Sequence, residues 1–172
     1  ARAYAQSAFE HLGAHAITLN PYLGYDAIEP FVGDPEKGVF LLCKTSNPGS
    51  ADLQNLMVSD TVSGLPSPVY IHVARLAQTW NTHGNIGLVV GATQPEALAR
   101  VRAAAPDLWF LSPGVGAQGG DLETALRNGL RADGRGMLIN VSRGIARAEN
   151  PRQAAAALRD EILRIQGEIR GR

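Results

Sequence analysis

The chain has 172 residues, 45% of them apolar, so it is long enough for one domain with a substantial core. Its 16 Lys and Arg balance 16 Asp and Glu, which leaves no overall basic footprint for nucleic acid or an anionic membrane; any anion must be held locally. One cysteine, Cys43, excludes an internal disulfide framework and a cysteine-rich zinc site, and no apolar run approaches the roughly 18 residues of a membrane span.

Short apolar runs alternate with longer amphipathic stretches, the pattern of βα units around a parallel sheet. At the front, Tyr4, Ala5, Ala8, Phe9 and Leu12 form an apolar stripe at helical spacing, and Gly13 stands where a helix stop belongs. Strands are expected at 16–20, 39–45, 86–92, 108–112 and 137–141. All five are continuous apolar runs, which predicts burial on both faces. Helix starts are expected at a capping box from Thr93 to Glu96, a weaker one from Asp26 to Glu29, and at Asn150-Pro151, which opens a helix to about Arg170. The connection from Ser46 to about Pro68 is long for its place; it reads either as a functional loop or as a surface excursion with a short helix over Ala51–Met57. Five βα units fit two architectures: a small open α/β sheet, or the C-terminal five-eighths of a barrel.

In parallel α/β folds ligands bind at the C-terminal ends of the strands, and here those positions are small, polar or glycine. The segment LSPGVGAQGGD (111–121) carries four glycines, which lets backbone N–H groups approach an anion before a following helix N-terminus. Arg143, just after the last strand, offers a two-pronged contact to phosphate oxygens. The alternative is that the glycines only turn the chain and Arg143 pairs with Glu149. Ser46 and Asn47 suit the edge of a heterocycle, or simply a Ser-Asn-Pro-Gly turn. His11, His15, His72 and His83 share no metal-ligand spacing, and Cys43 reads as a packing residue. Lys44 is the only lysine at a strand end, but strand alternation turns either it or Thr45 inward, not both. No paired carboxylates and no Ser/His/Asp set emerge.

SPGVGAQGGD at 112–121, followed by Ser142-Arg143-Gly144 and Glu149-Asn150-Pro151, resembles the orotidine 5′-phosphate decarboxylase family. ITLNPYLGYDAIEPF at 17–31 and GVFLLCKTSNPGSADLQ at 38–54 are similar to its longer-chain bacterial subgroup. The resemblance implies one domain over 1–172: the C-terminal part of a phosphate-binding (β/α)8 TIM barrel, supplying about strands 4 to 8. It further implies decarboxylation of orotidine 5′-phosphate to UMP in de novo pyrimidine synthesis, in the cytoplasm, by a homodimer that uses no metal or organic cofactor and binds neither nucleic acid nor membrane. By resemblance Gln118 spans phosphate and pyrimidine, Arg143 with the backbone around Ser142 and Gly144 holds the phosphate, Ser46 bonds the pyrimidine edge, and Pro113 lines the pocket near the scissile carboxylate. The family's Asp-x-Lys-x-x-Asp motif, expected just before a helix like the one at Ala1–Leu12, is absent, and neither Lys37 nor Lys44 stands in a matching context. The 172 residues alone are therefore expected to be inactive. The alternatives are another phosphate-binding barrel lyase or aldolase, or a non-catalytic nucleotide-binding fragment.

Overall fold

The structure, a computed structural model, describes residues 1–59, 64–116 and 119–171. Five parallel strands form one sheet: β1 (Ala16–Leu19), β2 (Gly38–Lys44), β5 (Ile86–Val90), β6 (Trp109–Pro113) and β7 (Met137–Asn140). Their spatial order, β1-β2-β5-β6-β7, follows the chain without reversal, so each strand adds to the same edge. All five expected strands are present, each end within two residues of its expected limit.

The connecting helices are α1 (Arg2–Gln6), α2 (Tyr25–Val32), α4 (Val69–Trp80), α5 (Pro95–Ala104), α6 (Leu122–Gly129), the short α7 (Arg143–Ala146) and α8 (Pro151–Arg170). Consecutive helices touch, α4 on α5, α5 on α6 and α6 on α8, as one layer laid along the sheet. Between sheet and helices lies a continuous core that includes Val39, Leu41, Leu88, Val90, Leu98, Val101, Leu108, Phe110, Leu126 and Ile165. The connection after β2 is not plain loop: it holds α3 (Ala51–Gln54) and an antiparallel hairpin of β3 (Met57–Ser59) with β4 (Pro66–Pro68). The short helix expected to reach Met57 stops at Gln54, because 57–59 joins that hairpin.

Burial on both faces holds only in the middle of the sheet. β5 is buried at every residue, whereas β1 buries none and β7 only Met137; they form the outer edges of the sheet and have a neighbour on one side only. The front stripe is likewise narrower than its spacing predicts. Ala5 and Ala8 are buried and Phe9 meets Phe31 of α2 edge-on at 6.2 Å, but Tyr4 and Leu12 are exposed.

Two of the three expected caps are replaced. At α5 the N-cap is Gln94, not Thr93, and at α2 it is Gly24, which places Asp26 inside the first turn; neither end has a side-chain cap. Asn150 does cap α8, accepting from the Gln153 amide at 3.0 Å, with Pro151 as first helical residue. Gly13 ends the front helix at φ +64°, the left-handed conformation that favours glycine.

The N-terminal rim of the sheet is tied by side chains that collect backbone carbonyls. Asn85 donates to the carbonyls of Val32, Asp34 and Lys37. Arg102, in the last turn of α5, donates to those of Gly129, Ala105, Pro106, Leu108 and Gly136 at 2.8–3.2 Å, and its guanidinium stacks 3.7 Å from the Phe110 ring centroid. Burial, with Arg131 nearby, pushes its pKa down to about 10, so it stays charged at neutral pH. Arg102→Met keeps the bulk but strands several carbonyls, and is expected to destabilise the fold by about 2–4 kcal/mol, read as a lower urea midpoint at unchanged m.

Candidate functional site

Because all five strands run the same way, their C-terminal ends share one rim. The 113–116 segment after β6 and the 141–144 segment after β7 meet there around a cavity of about 150 Å³, lined by Pro113, Gly114, Val115, Asn140, Val141, Ser142, Arg143 and Gly144. Four of the six sequence-predicted binding residues, Pro113, Ser142, Arg143 and Gly144, are thus brought together. Arg143 is exposed and, among the described residues, forms no ion pair, so the alternative of a pair with Glu149 is not realised. Gln118 lies outside the described residues.

The glycine loop works differently from the expected cradle of free amides. Gly116 N–H donates to the Gly120 carbonyl, Gly119 N–H to that of Gly116 and Gly120 N–H to that of Gly114, at 2.8–3.0 Å, so these three amides are spent closing the loop on itself. Gly120 has to be glycine: an added Cβ would lie 2.6 Å from the Gly114 carbonyl oxygen and 3.1 Å from the Ala92 Cβ. At the N-terminus of α6 the Asp121 carboxylate takes the Thr124 amide at 2.8 Å. Hydrogen bonding from the Thr124 side chain, and then from its amide, holds the Asp121 carboxyl below its usual pKa. The loop offers the cavity a fixed wall at Pro113–Val115, and the charge comes from Arg143.

Ser46, the fifth predicted residue in the described part, stands elsewhere on the rim. It follows β2, two strands from β6, or about 10 Å by ordinary interstrand spacing. It packs on Gly91 at the end of β5, where an added Cβ would lie 3.0 Å from the Ser46 Cβ and 3.1 Å from its backbone nitrogen. Around it Thr45 and Gln54 are doubly bonded, Thr45 N–H to Gln54 Oε1 at 3.0 Å and Gln54 Nε2 to Thr45 Oγ1 at 2.8 Å, and the Thr45 hydroxyl donates to Asn47 Oδ1 at 2.6 Å. The Gly91 amide donates to the Lys44 carbonyl at 2.7 Å. The rim therefore holds an arginine-bearing cavity and, two to three strands along it, a braced serine loop.

Lys44 departs from strand alternation. The β2–β5 register shifts between Leu42 and Lys44, and at this irregularity both adjacent side chains reach Tyr70 of α4: Cys43 Sγ donates to its carbonyl at 3.1 Å and Lys44 Nζ lies 5.6 Å from its ring centroid. Lys44 is 2% exposed, and its ammonium also bonds Ser50 Oγ at 3.2 Å and Asn55 Oδ1 at 3.1 Å. Burial pulls its pKa down. A lone lysine at the end of an apolar run was the available signal for this buried position; the irregularity that turns it was not visible.

This architecture is that of a parallel α/β protein with a cavity beside Arg143 on the C-terminal rim of its sheet. Residues 1–158 match the model of the orotidine 5′-phosphate decarboxylase / HUMPS family, and the chain belongs to that family. It is 51% identical over 170 residues to the orotidine 5′-phosphate decarboxylase of Roseiflexus sp. strain RS-1, an alignment that takes in 98% of this chain and 61% of that protein. Its structure superposes on Leishmania donovani OMP decarboxylase with TM-score 0.88 at 58% identity, covering 96% of this chain and 62% of that one. Against Leishmania donovani UMP synthase the TM-score is 0.90 at 61% identity, covering 96% of this chain and 36% of that one. The chain thus spans about three fifths of the length of the curated relatives it matches.

Cys43 is fully enclosed, and burial raises its thiol pKa far above the ordinary 9.0, against the smaller opposing effect of Lys44. The native protein at pH 8 is expected to give no reaction with a thiol-specific chromophore, while in denaturant one thiol per 172 residues reacts. Above pH 9.0 an unfolded chain releases this proton and the folded chain keeps it, so stability is expected to fall as pH rises past that value. Prompt native labelling would contradict the buried placement.

Proposed function

We propose that this chain supplies the phosphate-binding and base-reading portion, about strands 4 to 8, of a (β/α)8 barrel that converts orotidine 5′-phosphate to UMP. The observation that carries the reading is the convergence of Pro113, Ser142, Arg143 and Gly144 on one cavity, with the Arg143 side chain outside any ion pair among the described residues. Family membership and the names of the relatives support it. The consecutive, unreversed strand order suits a barrel, in which each strand is added beside the last. The same reading makes the complete protein a cytoplasmic homodimer.

In this proposal the phosphate enters the 113–116/141–144 cavity and accepts two charge-assisted hydrogen bonds from Arg143. Gln118 reaches from the same loop toward phosphate and pyrimidine, the Ser46 side of the rim reads the base, and Pro113 walls the pocket near the scissile carboxylate. The bond from C6 to the carboxylate breaks, CO2 departs and its electron pair stays on C6, where an ammonium group then delivers a proton. No lysine in a matching context stands among these residues, so the reaction is assigned to a polypeptide of the relatives' full length containing this sequence. The residues in hand do the binding: a grip on a phosphate remote from C6 lowers the barrier when it is tighter in the transition state than in the ground state.

Arg143→Ala in such a polypeptide is expected to lower kcat/KM for orotidine 5′-phosphate by roughly 10²–10⁴-fold, the loss of a two-pronged charged contact. Near-normal turnover would overturn the phosphate assignment. Tight UMP binding without CO2 release from the unsubstituted protein would favour a non-catalytic nucleotide-binding role instead.

A further inference from the structure

We propose that Lys44 is the positioning residue of the base-reading loop: its buried ammonium ties Ser50 and Asn55 to the end of β2 and thereby fixes Ser46 between them and Gly91. The inference rests on the proposed assignment of Ser46 to the pyrimidine. The ammonium has three donors, and each has a destination: Ser50 Oγ, Asn55 Oδ1 and the face of the Tyr70 ring, itself flanked by the Arg100 guanidinium at 5.6 Å. Among the described residues no carboxylate pairs with it.

A buried cation held only by neutral oxygens and a π face contributes little net stability, because its desolvation offsets much of what its bonds return. Its geometric effect is large by comparison. The loop leaves β2 at Thr45 and returns at Asn55, and both its 3-10 turn (Pro48–Ser50) and its returning end converge on this one Nζ atom. Gln54 clamps Thr45 immediately beside it. Ser46 lies inside the ring so formed, with its other side against Gly91. Removing the ammonium opens the ring at its buried side and loosens the loop that carries Ser46, while the Arg143 cavity, two and three strands away, keeps its own walls.

The test uses the full-length polypeptide and titration calorimetry with two probes, UMP and ribose 5-phosphate, which share the phosphate and differ in the base. Lys44→Met is expected to weaken UMP binding about 10- to 100-fold and to leave ribose 5-phosphate within about twofold of the unsubstituted protein. The paired change Ser50→Ala with Asn55→Leu, which keeps Lys44 and removes its two oxygens, is expected to show the same selective loss. It decides the matter should Lys44→Met fail to fold. Unchanged UMP affinity in these variants, or equal weakening of both probes, overturns the inference and leaves the proposed function standing. If the unsubstituted protein binds ribose 5-phosphate and UMP equally, no base is read at Ser46, and the inference falls with the assignment it rests on.

Discussion

Everything at the site depends on one constraint: five strands that run parallel and in chain order must present all their C-terminal ends on a single rim. Loops leaving such a rim are crowded against one another, about 4.8 Å from strand to strand, and the crowding is relieved where a side chain is missing. Gly91 admits Ser46, and Gly120 admits the Gly114 carbonyl and Ala92. The glycines of the β6 loop accordingly do two jobs. Gly114, Gly116 and Gly119 take positive φ angles to turn the chain, and Gly120 allows the turn to lie flat on β5.

The two rims of the sheet are built on opposite terms. At the N-terminal rim, Asn85 and Arg102 gather carbonyls from neighbouring connections into clamps. At the C-terminal rim, Arg143 is left outside such a clamp and Lys44 is bound by neutral groups alone. An exposed arginine outside any ion pair among the described residues keeps all its donors available, which is the geometric basis of the proposed phosphate assignment.

The five strands and the helix after Asn150 were legible because long apolar runs and an Asn-Pro start carry strong local signals. That Pro113, Ser142, Arg143 and Gly144 line one cavity was foreshadowed by their places just after two successive strands. The caps at Thr93 and Asp26 were misplaced because tertiary packing shifted each helix start by one residue or more. That the Gly116, Gly119 and Gly120 amides close the loop on itself was not legible, because composition reveals conformational freedom but not which carbonyl consumes an amide. The facing of Lys44 stayed open because alternation assigns adjacent residues to opposite faces, and the shift between Leu42 and Lys44 suspends that rule. The hairpin at 57–59 and 66–68 has two prolines in one strand, and proline argues against strand.

Family membership and rim geometry bear on different halves of the functional question. Family membership says which relatives the chain resembles, and the rim separates an arginine-bearing cavity after β6 and β7 from a braced loop after β2. The most direct measurement is a crystal structure of the full-length polypeptide with UMP. The account predicts the phosphate within hydrogen-bond distance of the Arg143 guanidinium in the 113–116/141–144 cavity and the base against Ser46. A phosphate bound away from Arg143, or a base turned away from the β2 rim, would contradict it.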